Sequence, residues 1–233
     1  MTPIVFVPGM LCTAEVFAPQ IAALWPYGPV TVASTLEGDS LAAIASNILA
    51  SAPPRFALCG ISMGGYISLE ILRQAPHRIT KLALLDTSAD PEPPEGAVQR
   101  RALVARARIE DFRTLLEKVL PPILLHPNHQ SDPALIEINV RMAFQVGVKG
   151  MARQQEAIIS RADSRPILAG ISVPTLILVG DRDVLTPPEK SEALAAKISN
   201  SRLVIVRECA HASTLEQPVA VNRALIEWIT DQA

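Results

Sequence analysis

The sequence predicts an α/β protein built on a mostly parallel, doubly wound sheet of about six strands, and three observations carry that prediction. Short runs rich in valine, isoleucine and leucine recur along the chain. They are continuous rather than alternating, so both faces of each strand must be covered, as in a parallel sheet flanked by helices. Segments with helical spacing separate the runs, giving strand then helix in repetition. The 233 residues are 49% hydrophobic, enough for one sizeable core but little for two full domains.

The strand-like runs fall at residues 4–7, 30–33, 56–59, 82–85, 176–179 and 203–206, and the helical segments at 15–24, 40–50, 63–74, 188–198 and 219–229. Ser40 and Thr186 are placed to cap two of these helices, because a hydroxyl at that position accepts a hydrogen bond from a free amide of the first turn. Pro187-Pro188-Glu189 after Thr186 suits a first turn as well. No internal repeat or low-complexity tract interrupts the pattern.

One segment breaks the alternation. From about residue 91 to 169 the apolar residues keep helical spacing, as in "VQRRALVARARIEDFRTLLEKVL" and "ALIEINVRMAFQVGV", with no strand-like run. The segment opens on the proline-rich "DPEPPEG" and is broken by "PPILLHPNHQSDP", so several helices lying over one end of the sheet are expected, as a lid. That divides the chain into a core of 1–90 and 166–233 and a helical insertion of 91–165. Leu115, Leu116, Val119, Leu120, Ile123, Met142, Phe144 and Met151 can line an apolar pocket there, although ordinary helix packing suits them better.

The formal net charge is −2, with Lys and Arg scattered. Without a basic stripe or polybasic cluster, neither nucleic acid nor an anionic membrane surface is an expected partner. The start, "MTPIVFVPGM", has no positive region and only a short apolar run before Pro-Gly, which fits neither a signal segment nor a membrane span. Cys12, Cys59 and Cys209 are odd in number and widely spaced, so they form no disulfide framework or Cys-x-x-Cys motif. A reducing cytoplasm is the expected setting, with the cysteines as small buried packing.

The chemistry centres on "GISMGG", residues 60–65, between the apolar "RFALC" and the helical "YISLEILRQA". A serine between glycines at a strand-to-helix turn matches G-x-S-x-G, in which a sharp turn thrusts the hydroxyl outward and only glycine tolerates the neighbouring backbone. A bare helix cap at Ser62 is the competing reading, and the flanking strand and helix disfavour it. Serine needs a base to become nucleophilic, and the base needs an acid to orient it. Of the four histidines, His77 falls in a loop at the opposite end of the sheet, and His126 and His129 in a solvated stretch of the insertion. His211 follows the last strand in "RECAHASTLEQP", at the strand end that carries Ser62. Asp181 and Asp183 in "LILVGDRDVLTPP" and Asp86 in "LLDTSA" all lie at that end as candidate acids, and spacing does not choose among them. An oxyanion needs backbone donors fixed where its charge develops. The Met63 amide is one, and the loop after the first strand supplies the other through Met10 or its neighbour Leu11.

Together, "GISMGG", "GDRDVLTPP" and "CAHASTLEQP" in this order resemble the α/β-hydrolase superfamily over nearly the whole chain except the insertion. The resemblance implies Asp183 as the acid, from the family's G-x-x-D stretch, with Asp86 at the position a minority of members use. It implies Met10 as the second oxyanion donor, although Pro8 stands where the usual His-Gly has histidine. It also implies a compact six-stranded sheet starting at what corresponds to the family's third strand. A serine at the elbow separates the chain from haloalkane dehalogenases and epoxide hydrolases, which use aspartate. The implied catalytic set is Ser62, Asp183 and His211, with Met10 and Met63 as oxyanion amides and neither cofactor nor metal required. A carboxylesterase acting on a small-molecule ester is the first expectation. A lactonase, thioesterase, carbon–carbon bond hydrolase, perhydrolase or acyltransferase would use the same triad, and a small-molecule receptor on the same scaffold would not turn over.

Overall fold

The computed structural model describes residues 1–231. Six strands, β1 (Ile4–Val7), β2 (Val30–Val32), β3 (Phe56–Ile61), β4 (Ile79–Leu85), β5 (Thr175–Gly180) and β6 (Ser201–Val206), form one sheet in the order β2-β1-β3-β4-β5-β6. Every neighbouring pair is parallel. The continuous apolar runs have the expected cause: β1, β3 and β5 are buried along their whole length, while the edge strand β2 is part-exposed.

Helices cover both faces. Against one lie α2 (Leu41–Ser51), α3 (Met63–Gln74) and α7 (Pro188–Ala195), packing Ile44, Ile67 and Leu194 with Val5, Leu58 and Ile177 of the sheet. Against the other lie α1 (Ala18–Leu24), entered by a 3-10 turn at Ala14–Phe17, and α9 (Pro218–Thr230), which follows the short α8 (Ser213–Glu216). There Phe17, Leu24, Leu225 and Trp228 meet Ile4, Phe6 and Leu176. Ser40 caps α2 as expected, accepting from the Ala43 amide at 3.3 Å. Thr186 does not cap α7. Pro187 occupies the cap position, and the Thr186 hydroxyl donates to Asp183.

Between β4 and β5 stand α4 (Pro94–Ala107), α5 (Phe112–Leu124) and α6 (Pro133–Ile159), the last kinked at Gly147, whose φ is 71°. They share a cluster of Val104, Leu115, Leu116, Leu120, Val140 and Met151 that also takes in Leu11 from the loop after β1. The expected break at Pro121-Pro122 is absent, since both prolines lie inside α5. Their rings leave the carbonyls of Glu117 and Lys118 without amide partners. Both residues are exposed, and the chain leaves the helix only after Leu124.

The strand order fixes where a site can form. The chain runs from β1 outward to β2, then returns to place β3 on the other side of β1. The carboxyl ends of β1 and β3 therefore flank the point at which the winding reverses, the crevice where open α/β sheets bind ligands. Gly9-Met10 follows one of these strands and Ser62 the other.

The turn at Ser62 depends on bare backbone. A Cβ on Gly60 would sit 2.2 Å from the Gly64 carbonyl oxygen, and one on Gly64 would sit 2.0 Å from the Val7 carbonyl oxygen. Both clashes are with backbone that cannot swing aside. Gly64→Ala is accordingly expected to destabilise the fold by upwards of about 3 kcal/mol, visible as a lower urea midpoint; a variant within 1 kcal/mol of wild type, by the same scale, would show that α3 packs less tightly on β1 than this.

Candidate active site

Ser62 stands between β3 and α3 with φ 55° and ψ −119°, in the region that favours glycine. Neighbouring elements hold it there: its amide donates to the Leu85 carbonyl at 2.9 Å, and its carbonyl accepts from the Thr87 hydroxyl at 2.8 Å. A strained backbone locked on both sides throws the side chain out of the turn toward the loop after β6.

That loop carries His211, buried to 6% exposure. Its Nε2 lies 2.8 Å from Ser62 Oγ, and its Nδ1 lies 2.8 Å from Asp183 Oδ2. Asp183 is buried at 3% exposure and is well supplied with donors. The Leu185 and Thr186 amides donate to its Oδ1 at 2.8 and 3.0 Å, and the Thr186 hydroxyl donates to Oδ2 at 2.7 Å. Burial alone would raise the Asp183 pKa, but the facing imidazole and these hydrogen bonds outweigh it and hold the carboxyl below its ordinary value. Burial likewise pulls His211 down, and the charge and hydrogen bond of Asp183, with Asp86 behind it, carry it above its ordinary value. An ionised Asp183 accepts from Nδ1–H, which leaves Nε2 as the acceptor facing the serine hydroxyl.

The two other candidate acids are engaged elsewhere. Asp181 Oδ1 accepts from the Cys209 amide at 3.1 Å, the bonding to backbone that a turn aspartate favours. Asp86, fully buried, accepts from the Gly180 amide at 3.1 Å and from the Ser213 hydroxyl. It thereby links the end of β5 to the histidine loop. Burial first, then the nearby Asp183 charge, push the Asp86 carboxyl well above its ordinary pKa.

The two amides considered for the second oxyanion donor, Met10 and Leu11, differ in their partners. Leu11 N–H donates to Gln154 Oε1 of α6 at 2.9 Å, so it is occupied. Met10 N–H makes no hydrogen bond to any described residue. Met63 is the first residue of α3, where an amide has no partner within the helix. Gln154 also donates to the Thr35 carbonyl and hydroxyl, so the inserted helix fixes the loop after β1, where Leu11 has φ 61°.

A cavity of about 80 Å³ opens beside Ser62. Of the eight apolar residues considered for a pocket, Leu120 and Ile123 line it. Leu115, Leu116, Met142 and Met151 are buried in packing, and Phe144 is exposed. Cys59 and Cys209 are buried among apolar residues, whereas Cys12 lines the cavity. Burial pushes the Cys12 thiol up to about 12, so it stays protonated.

His77 is exposed, as expected of a surface loop. His126 and His129 are not merely solvated. Glu216 of α8 is ringed by donors: the His126 amide at 2.7 Å, His129 Nδ1 at 2.9 Å and the Ala210 amide at 2.7 Å. The Ala212 amide donates to the Leu124 carbonyl at the end of α5. Residues on both sides of His211 are thus tied to the insertion. Gln154 and Glu216 carry no local motif, and only the packed fold reveals their roles, as it does the bond from Thr186 to Asp183.

A family model described as the alpha/beta hydrolase fold matches residues 38–218. A pimeloyl-[acyl-carrier protein] methyl ester esterase from Neisseria meningitidis is 28% identical over 92% of this chain and 72% of its own length. Among solved structures, a thermophilic esterase from Thermogutta terrifontis superposes with a TM-score of 0.87 at 28% identity, covering 98% of this chain and 89% of that one. The enol-lactonase from Burkholderia xenovorans LB400 does so at 0.88 and 26%, covering 99% and 92%. The six-stranded parallel sheet, the serine held on the turn after β3 and the matched span agree, and the chain belongs to the α/β-hydrolase fold family.

Proposed function

We propose that this hydrolase cleaves carboxylic esters of small molecules through Ser62, His211 and Asp183, as a carboxylesterase. The observation that carries the reading is the unbroken relay from Ser62 Oγ to His211 to Asp183, each contact 2.8 Å, beside the unengaged Met10 amide. Ser62 Oγ attacks the ester carbonyl as its proton passes to His211 Nε2. The oxyanion takes hydrogen bonds from the Met10 and Met63 amides, each such donor lowering the barrier by about 2.7–4 kcal/mol. His211 then hands the proton to the departing alkoxide, and the alcohol leaves an acyl-Ser62 ester. Water, deprotonated by His211, attacks that ester, and the collapse returns the proton to Ser62 and releases the acid.

The insertion, residues 91–165, acts in this reading as a lid on the core of 1–90 and 166–233. Support comes from Leu120 and Ile123 at the cavity wall and from the ties of Gln154, Leu124 and the His126–His129 stretch to the catalytic loops. The enol-lactonase likeness favours one extension, an ester closed within a ring, because the bond broken and the charge developed are the same.

Intact-mass analysis after treatment with a fluorophosphonate probes the nucleophile directly. Wild type is expected to gain one adduct, Ser62→Ala none, and His211→Ala to react far more slowly. A folded wild type that gains no adduct, or a Ser62→Ala variant labelled as fast as wild type, would overturn the assignment.

A further inference from the structure

The wall of the cavity beside Ser62 is almost wholly apolar. Beyond Ser62, His211 and the weakly polar Cys12 thiol, Asn139 of α6 is the one polar side chain lining it among the described residues. Asn139 is only 6% exposed. Its Nδ2 donates to the Leu135 carbonyl at 2.8 Å, one turn back along the helix. That bond fixes the orientation of the amide, because turning it over would set Oδ1 against another acceptor. Oδ1 has no hydrogen-bond partner among the described residues. Asn139, a residue of that otherwise apolar wall next to Ser62, therefore carries an acceptor that no protein group fills.

Size and charge restrict what can fill it. At about 80 Å³ the recess is roughly half the volume of a cavity that holds benzene, which leaves room for three or four carbon atoms. No Lys, Arg, Asp or Glu lines it. An ammonium there would lose its water without gaining a counter-ion, and a carboxylate would face Oδ1 with no cation to compensate. A neutral hydroxyl satisfies the acceptor at the least desolvation. A wall built to accept from a hydroxyl discriminates against the analogue that lacks one, since the buried acceptor is then left bare.

We propose that Asn139 determines specificity, selecting esters with one short arm that carries a hydroxyl group. The inference rests on the esterase reading above, and the test separates the two. Two shape-matched pairs place the hydroxyl on either arm: methyl 3-hydroxybutanoate against methyl 3-methylbutanoate, and 2-hydroxyethyl acetate against propyl acetate. In one pair, wild type is expected to favour the hydroxy ester in kcat/KM by at least about tenfold. In Asn139→Leu, which keeps bulk but removes the acceptor, the ratio should fall to near one or invert, and Asn139→Ala should follow. Equal kcat/KM within both pairs for wild type, or a preference that survives in both variants, would overturn the role of Asn139 and leave the esterase reading standing. Failure of wild type to hydrolyse all four esters and p-nitrophenyl acetate would overturn the esterase reading itself.

Discussion

Ser62→Ala is expected to cut ester turnover by about a million-fold while leaving the fold intact, a loss of the size seen when the nucleophile of subtilisin is removed. Among the described residues Ser62 Oγ hydrogen-bonds to His211 Nε2 alone, so its removal strips the relay of its reacting atom and leaves one ring nitrogen, at the cavity wall, without its protein partner. Stability should respond in a different direction from activity. The backbone at Ser62 sits at φ 55°, a conformation that costs a non-glycine residue on the order of 1–3 kcal/mol. Alanine inherits that strain and glycine does not. Ser62→Gly should therefore be as inactive as Ser62→Ala yet more stable by up to about 1 kcal/mol, measured as a higher urea midpoint. Turnover in either variant above a thousandth of wild type would mean that another nucleophile does the work.

Asp183→Asn should lower kcat by about ten-thousand-fold, by the route known for serine proteases. Here the geometry specifies the route. Two backbone amides, of Leu185 and Thr186, donate to Oδ1, so the asparagine oxygen must take that place and its NH2 must face His211 Nδ1. The imidazole is then forced to carry its proton on Nε2, the nitrogen that has to accept from Ser62. The pH profile supplies a check independent of rate. His211 must be neutral to accept that proton, and its pKa is raised above the ordinary 6.5. In wild type, kcat/KM should thus rise with pH through a midpoint above 6.5, the ordinary histidine value. Burial works against the charged imidazole and Asp183 is the largest influence opposing it, so the midpoint should move downward in Asp183→Asn. An unmoved midpoint would locate the orienting charge elsewhere, and Asp86 would be the residue to replace next.

Those features that depend on local pattern were readable before any coordinates. The strands are legible because β1, β3 and β5 are buried on both faces and so are almost wholly apolar. The elbow was visible because Gly60 and Gly64 meet backbone at distances no side chain survives. Other features depend on contacts between distant segments. The choice of Met10 over Leu11 depends on which amide Gln154 takes, 143 residues away in sequence. Thr186 fits a helix cap in sequence, yet Pro187 holds the cap position and the Thr186 hydroxyl faces the buried Asp183 carboxylate, to which it donates. His126 and His129 looked solvated because Glu216, which gathers them, lies some ninety residues further on.

The ring of donors around Glu216 makes two distant segments move together. Its carboxylate holds the Ala210 amide beside the base with one oxygen and gathers His126 and His129 of the insertion with the other. Any change that reshapes the insertion to admit a new substrate therefore pulls on the anchorage of His211 as well. One carboxylate thus couples the shape of the insertion to the placement of the His211 ring.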